Sequence, residues 1–122
     1  MYLSQERISK ENAESLYLFL KMTRDVPEKR VFKLILGACG LDDAALERFL
    51  EGILQQCIYH IDSKQIKIQY LKSFIYSNNS MGVKSMEKLN KLIPNLFELV
   101  LNNIQFNGGT LNGYLFTASD MI

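Results

Sequence analysis

The sequence predicts an α/β fold in which about three parallel strands form a short curved sheet, with helices on its convex side. Three segments, residues 31–50, 71–89 and 96–115, share apolar columns at one internal spacing, which indicates a repeat. Within each segment an apolar run, a turn and a helix-forming stretch follow in that order. The columns are Leu34, Phe74 and Leu99; Leu36, Tyr76 and Leu101; Leu41, Met81 and Phe106; Leu46, Met86 and Leu111; and Phe49, Leu89 and Tyr114.

Residues 5–30 form a half-repeat whose main predicted element is a helix over residues 9–22. Ile8, Ala13 and Leu16 repeat the offsets of the later columns. Ser9 is a suitable N-cap, because its hydroxyl can accept a backbone N–H of the first turn. Pro27 ends the helical stretch, since it cannot donate a backbone hydrogen bond.

Three repeats follow, at about residues 31–57, 71–95 and 96–117. Short apolar runs predict strands over residues 31–36, 71–76 and 97–101. Helices are expected over about 44–55 and 83–92, and a last short helix over 110 to about 117. Asp42 or Asp43 caps the first of these helices, and Pro94 ends the second.

An insertion at about residues 56–70 separates the first two repeats. The interval from Leu41 to Met81 is 40 residues, whereas that from Met81 to Phe106 is 25. Asp62, Ser63 and Lys64 predict a turn, and alternating apolar residues follow it. The insertion is therefore read as a longer loop that carries a small hairpin.

The repeat resembles the leucine-rich repeat, L-x-x-L-x-L-x-x-N/C-x-L, in its ribonuclease-inhibitor-like subclass. The first match is Val31, Leu34, Leu36, Cys39 and Leu41, the second Leu71, Phe74, Tyr76, Asn79 and Met81, and the third Leu96, Leu99, Leu101 and Phe106. The resemblance implies one solenoid domain over residues 1–122. It also implies that Cys39 and Asn79 form a structural turn ladder, bonding backbone groups that the turns leave unpaired. Ile104 departs from this column, with Asn103 one place early.

Alternation along the strands predicts which residues face away from the core. If Leu34 and Leu36 face the helices, a row of Ile35, Ile75 and Val100 lies on the concave face. The resemblance implies that this face binds a protein partner. The candidate binding residues are Lys33, Ile35, Ser73, Ile75, Glu98, Val100 and Asn102. The alternative is that three adjacent β-branched residues only stabilise the sheet.

Composition and motifs weigh against other functions. Fourteen basic residues are scattered among 13 acidic ones, so no nucleic-acid footprint is expected. No apolar run reaches the length of a membrane span. Two cysteines are too few for a disulfide framework, which favours a cytoplasmic location. His60 is the only histidine, and Cys57 with His60 supplies too few ligands for a metal; we expect no catalytic residues and no cofactor.

Two functions are consistent with these observations. The first is a non-catalytic adaptor or effector-like module that binds a protein through its concave sheet. The second is a structural subunit of a larger assembly or a homo-oligomer. End repeats require polar caps, and residues 115–122 are half apolar. We therefore expect either that the C-terminal edge packs on another subunit or that the sequence is a piece of a longer chain.

Overall fold

The computed structural model describes residues 2–4, 10–23, 26–38, 40–56, 58–61 and 64–116. Its helices are α1 (Lys10–Met22), α2 (Asp43–Gln55) and α3 (Val83–Leu92), with short 3-10 helices at Pro27–Lys29 and Ile93–Asn95. Its strands are β1 (Tyr2–Ser4), β2 (Lys33–Gly37), β3 (Ile58–Ile61), β4 (Lys64–Lys67), β5 (Ser73–Ser77), β6 (Ser80–Gly82), β7 (Glu98–Asn102), β8 (Gln105–Asn107), β9 (Gly109–Leu111) and β10 (Tyr114–Phe116). The predicted mixed α/β class is confirmed. The predictions for Ser9, Cys39 and Cys57 concern positions outside the described residues.

The main sheet is parallel, in the order β1-β2-β5-β7. The three predicted strands lie side by side in the expected register. Leu36 lies opposite Tyr76, which lies opposite Leu101. Each strand begins one or two residues later than predicted. β1 was not predicted, and it extends the sheet beside β2.

One face of the sheet is buried under the helices. Leu34 and Leu36 of β2 and Phe74 and Tyr76 of β5 have no exposed surface. They belong to one apolar cluster with the buried faces of the helices, whose members include Leu46, Phe49, Leu50, Ile53, Met86 and Leu89. Helix α1 packs on α2, and α2 packs on α3. The alternation that the sequence predicts is therefore present in β2 and β5.

The predicted helices 44–55 and 83–92 are confirmed, and the structure decides which aspartate begins α2. Asp42 is the N-cap: its carboxylate accepts a hydrogen bond from the Ala45 backbone N–H at 2.8 Å. Helix α3 ends at Leu92, and Pro94 lies in the 3-10 turn that follows. Asp43 has a different role, described below.

The last predicted helix, over residues 110 to about 117, is wrong. Strands β9 and β10 form an antiparallel hairpin there, with Leu111 opposite Tyr114. Asn112 and Gly113 make the turn with φ values of 49° and 86°. Two consecutive residues with positive φ are what a tight type I′ hairpin requires, and Asn-Gly is its favoured sequence. This local turn chemistry outweighs the repeat pattern.

The insertion contains the predicted hairpin. Strands β3 and β4 pair antiparallel, with Tyr59 opposite Ile66. Asp62 and Ser63, predicted as its turn, are outside the described residues. Within the ranges that the structure describes, no helix is long and apolar enough to cross a membrane.

The three turns that leave the main strands share one backbone conformation. Ala38, Asn78 and Asn103 follow β2, β5 and β7 directly, with φ values of 50°, 56° and 55°. Ile104, which departs from the Asn/Cys column, is fully buried beyond the third turn. There β6 and β8 pair in parallel, with Met81 opposite Phe106. The departure at Ile104 thus leaves the conformation of the turn unchanged.

Candidate protein-binding surface

The face of the main sheet opposite the helices carries three rows of side chains, which we call the open face. The register aligns Lys33, Ser73 and Glu98; then Ile35, Ile75 and Val100; then Gly37, Ser77 and Asn102. All seven candidate binding residues therefore lie together on one surface. Ile35 and Ile75 are half-buried, and Val100 is 38% exposed. A short apolar strip thus crosses three strands between two polar rows.

The first polar row is linked across the three strands. The Ser73 hydroxyl donates a hydrogen bond to Glu98 Oε1, and Lys33 Nζ lies 4.0 Å from the same oxygen. An exposed ion pair of this kind contributes at most about 1 kcal/mol to stability. The ion pair instead positions a carboxylate and an ammonium group beside the apolar strip.

Aromatic and cationic side chains cluster where the strands begin. Phe32 and Phe97 are 56% and 87% exposed. The Phe32 ring meets the Tyr70 ring edge to face at 5.9 Å, and Arg30 stacks over Tyr70 at 4.4 Å. Lys72 Nζ lies 5.5 Å from the centre of the Phe97 ring. Aromatic and arginine side chains of this kind are enriched among the residues that dominate binding energy in protein interfaces.

Sequence reasoning missed this cluster, although a signal was present. Phe32, Lys72 and Phe97 occupy one column of the same repeat alignment. The backbone confirms the equivalence: Lys72 N–H donates to Phe32 O, and Phe97 N–H donates to Lys72 O, both at 2.8 Å. Two exposed phenylalanines in one column therefore indicate a surface rather than a core position.

Asn79 connects successive turns on the carboxyl side of the strands. Its side-chain oxygen accepts from Leu41 N–H at 3.4 Å, and its amide nitrogen donates to Ser77 O at 2.8 Å. Its backbone oxygen accepts from Gln105 N–H at 3.0 Å. The residue thus joins the turn before it, its own turn and the turn after it. Cys39, the other predicted member of the turn ladder, is outside the described residues.

Asp43, in the first turn of α2, caps the amino terminus of α3. Its carboxylate accepts from the backbone N–H groups of Gly82, Lys84 and Ser85, at 3.0, 3.1 and 2.8 Å. It also accepts from the Ser85 hydroxyl at 2.6 Å. Partial burial alone would raise the pKa of Asp43, but these four hydrogen bonds favour the anion and the net pKa is lowered.

Gly82 makes this contact possible. A Cβ atom at this position would lie 2.8 Å from Asp43 Cγ. Glycine also has no side chain with which to cap α3, so the neighbouring helix supplies the acceptor. Sequence reasoning assigned Asp43 only as a possible cap of its own helix.

A buried amide, Gln56, fixes the entry into β2. Only 2% of its surface is exposed. Its side-chain oxygen accepts from Val31 N–H at 3.2 Å, and its amide nitrogen donates to Lys29 O at 3.0 Å. The end of α2 is thereby attached to the segment that leads into the first strand of the open face. The sequence interpretation placed Gln56 in the insertion and gave it no role.

Ion pairs join the three helices on their outer side. Arg48 of α2 donates two hydrogen bonds to Glu14 of α1, at 2.7 and 2.8 Å, and its guanidinium stacks 3.7 Å from the Tyr17 ring. Glu51 of α2 lies 3.0 Å from Lys88 of α3. The Arg48 hydrogen bond lowers the pKa of Glu14, and the Glu51 hydrogen bond raises the pKa of Lys88. These contacts link α1 to α2 and α2 to α3 on the side away from the sheet.

On the helix-covered face of the sheet, the side chains of β7 are less completely buried than those of β2 and β5. Leu99 shares a column with Leu34 and Phe74, which have no exposed surface, yet Leu99 is 36% exposed. Leu101 is half-buried, whereas Tyr76 beside it is fully buried. Strand β9 packs on α3. The outer strand therefore keeps apolar surface on its core side.

Among the described residues, no group of three or more His, Cys, Asp or Glu side chains is placed to hold a metal ion. No match to this chain is found among protein-family models, curated proteins or solved structures. The class that its geometry defines is a mixed α/β protein with a parallel sheet, helices on one face and a striped apolar and polar surface on the other.

Proposed function

We propose that this chain is a leucine-rich-repeat solenoid that binds a protein partner through the open face, without catalysis. The repeat columns, the parallel register and the turn geometry support the solenoid interpretation. We further propose a cytoplasmic location, because two cysteines do not make a disulfide framework.

One observation carries the binding proposal. Ile35, Ile75 and Val100 lie in one row across three parallel strands, on the face opposite the buried residues Leu34 and Phe74. This apolar strip keeps exposed surface at Val100 and is bordered by polar rows on both sides. An apolar centre with a polar rim is the usual anatomy of a protein interface.

The neighbouring aromatic cluster extends this surface. Phe32 and Phe97 precede Lys33 and Glu98 directly in the chain, so the cluster adjoins the first polar row. Large exposed rings contribute contact area at low conformational cost, since they have few rotatable bonds. We therefore propose that a partner contacts both the apolar strip and this aromatic end.

Affinity capture from the native source, followed by reconstitution with the purified captured protein, tests the proposal. Ile35→Asp should weaken binding by roughly thirtyfold or more, the factor that corresponds to a 2 kcal/mol hot spot. Leu18→Asp is the matched control, because Leu18 is an apolar residue of α1 with 47% exposure. Equal affinity of the two variants, with unchanged circular dichroism, would contradict binding through the open face.

The second candidate function is a subunit that packs through its β7 edge. The specific observation in its favour is the exposed surface of Leu99 in a column that is otherwise buried. Concentration dependence tests this second function, because a subunit of this kind associates through β7 before any partner is added.

A further inference from the structure

Strand β7 is one of the two edge strands of the main sheet in the described residues, with β1 at the opposite edge. Glu98 N–H donates to Lys72 O, and Asn102 O accepts from Asn78 N–H, so both residues direct backbone groups toward the β5 side. The N–H and C=O groups of successive residues point to opposite sides of a strand. Leu99 and Leu101 therefore direct their N–H and C=O groups away from β5. On that side, no strand of the described residues pairs with β7.

The side chains at the centre of β7 do not protect this edge. Edge strands are usually blunted by charged side chains, proline or a bulge, because unpaired backbone groups invite another strand. β7 has one charged residue, Glu98 at its first position, and the central segment Leu99-Val100-Leu101 has none of these features. Leu99 and Val100, on opposite faces, are 36% and 38% exposed. This edge combines exposed apolar side chains with outward N–H and C=O groups, so it is suited to pairing with a further strand.

We propose that a second copy of this chain pairs with β7, antiparallel, about a two-fold axis at Val100. The central segment Leu99-Val100-Leu101 reads the same in both directions. This pairing places Leu99 opposite Leu101 of the second copy, and both residues direct their backbone groups outward. Two such pairs form, giving four backbone hydrogen bonds.

Strand length favours this register over the one centred on Leu99. Pairing about Val100 places Glu98 opposite Asn102 of the second copy, so all five residues of β7 are paired. Pairing about Leu99 would place Glu98 opposite Val100 and leave Leu101 and Asn102 outside the pair. The register at Val100 also places an apolar residue of the second copy opposite Leu99 on the core side.

The two-fold axis runs perpendicular to the sheet, so both helix layers remain on the same side. The two four-stranded sheets then form one continuous sheet, and the two open faces become one surface. The inference rests on the proposed subunit role of the β7 edge and does not depend on partner binding to the open face.

Sedimentation equilibrium over about 10 μM to about 1 mM, a range in which weak contacts become populated, tests the pairing. The wild-type chain should form dimers, and Leu99→Lys should remain monomeric with unchanged circular dichroism. Leu115→Lys should still dimerise, because Leu115 is 76% exposed but lies on β10. A wild-type monomer throughout the range, or a dimer that Leu99→Lys leaves intact, overturns the proposal.

A second variant tests the register. In an antiparallel pair, residues opposite each other without mutual hydrogen bonds have Cα atoms about 4.5 Å apart, within disulfide range. With oxidised glutathione added as the electron acceptor, Val100→Cys should therefore form a dimer linked by a disulfide at residue 100, identified by the mass of the joined peptide. Ile35→Cys, in the same row two strands away, should not. Equal linkage of both variants, or none at residue 100, overturns the register.

These outcomes separate the two functions. Ile35→Asp should leave dimerisation unchanged, and Leu99→Lys tests the β7 edge without altering the apolar strip of the open face. A wild-type chain that stays monomeric throughout this concentration range but binds its partner through the open face would therefore overturn this inference alone.

Discussion

The hydrogen bonds of Asp43 predict a cap that stabilises the contact between α2 and α3. Asp43→Ala removes the acceptor for three backbone N–H groups and for the Ser85 hydroxyl. Loss of one helix cap costs typically about 1 kcal/mol, and a hydrogen bond to a charged group contributes about 1.5–3 kcal/mol. Because Asp43 is only half-buried, water replaces part of this loss. We expect the free energy of unfolding to fall by about 2 kcal/mol at pH 7.

Urea unfolding followed by circular dichroism measures this loss. With a slope of about 2 kcal/mol per molar urea, the midpoint should fall by about 1 M. Glu87→Gln is the matched control, because Glu87 is an exposed carboxylate of α3 and not an acceptor at its amino terminus. It should change the midpoint by much less.

The dependence on pH gives a second, independent test. The folded-state pKa of Asp43 is lowered, so the unfolded chain binds its proton more readily. The stabilisation is therefore complete above the unfolded pKa of about 3.9 and is lost as the pH falls through the folded pKa. The difference between wild type and Asp43→Ala should narrow in acid. A difference below about 0.5 kcal/mol at pH 7, within the range of ordinary surface substitutions, would refute the reasoning.

Three further substitutions test neighbouring contacts. Gly82→Ala should destabilise the protein by about 1–3 kcal/mol, because its Cβ would lie 2.8 Å from Asp43 Cγ; an unchanged urea midpoint would contradict this contact. Gln56→Met should cost about 1–3 kcal/mol, since Val31 N–H would lose its acceptor; thermal unfolding measures the loss, and an equal or higher melting temperature would contradict it. Gly52→Ala gains helix propensity, but its Cβ would approach the side chain of Leu20 at 2.9 Å, so we expect a net loss in the same urea assay.

The sequence could predict the sheet because strand register follows from side-chain alternation. A shift of one residue would expose Leu36 and bury Ile35, and the common spacing of the apolar columns excludes a shift of two. The candidate binding residues follow from that register, so their placement on one surface was also predictable. Whether the surface binds a protein remains a proposal.

The repeat pattern alone could not predict two features of the structure, the last hairpin and the Asp43 cap. The hairpin at Asn112 and Gly113 depends on backbone conformations with positive φ, a local preference that the alignment of apolar columns does not include. The Asp43 cap depends on α2 and α3 beginning side by side. That arrangement joins Asp43 to Ser85, 42 residues later, and no local sequence rule covers such a distance.

Nuclear Overhauser contacts between backbone protons in isotope-labelled protein test the central claim most directly, since every row of the open face depends on parallel pairing of β2, β5 and β7. The account predicts contacts that link Ile35 to Ile75 and Ile75 to Val100, in the pattern of parallel strands. Close Hα–Hα contacts of the antiparallel type between β2 and β5 or between β5 and β7, or the absence of contacts between β5 and β7, would contradict both the fold and the proposed binding surface.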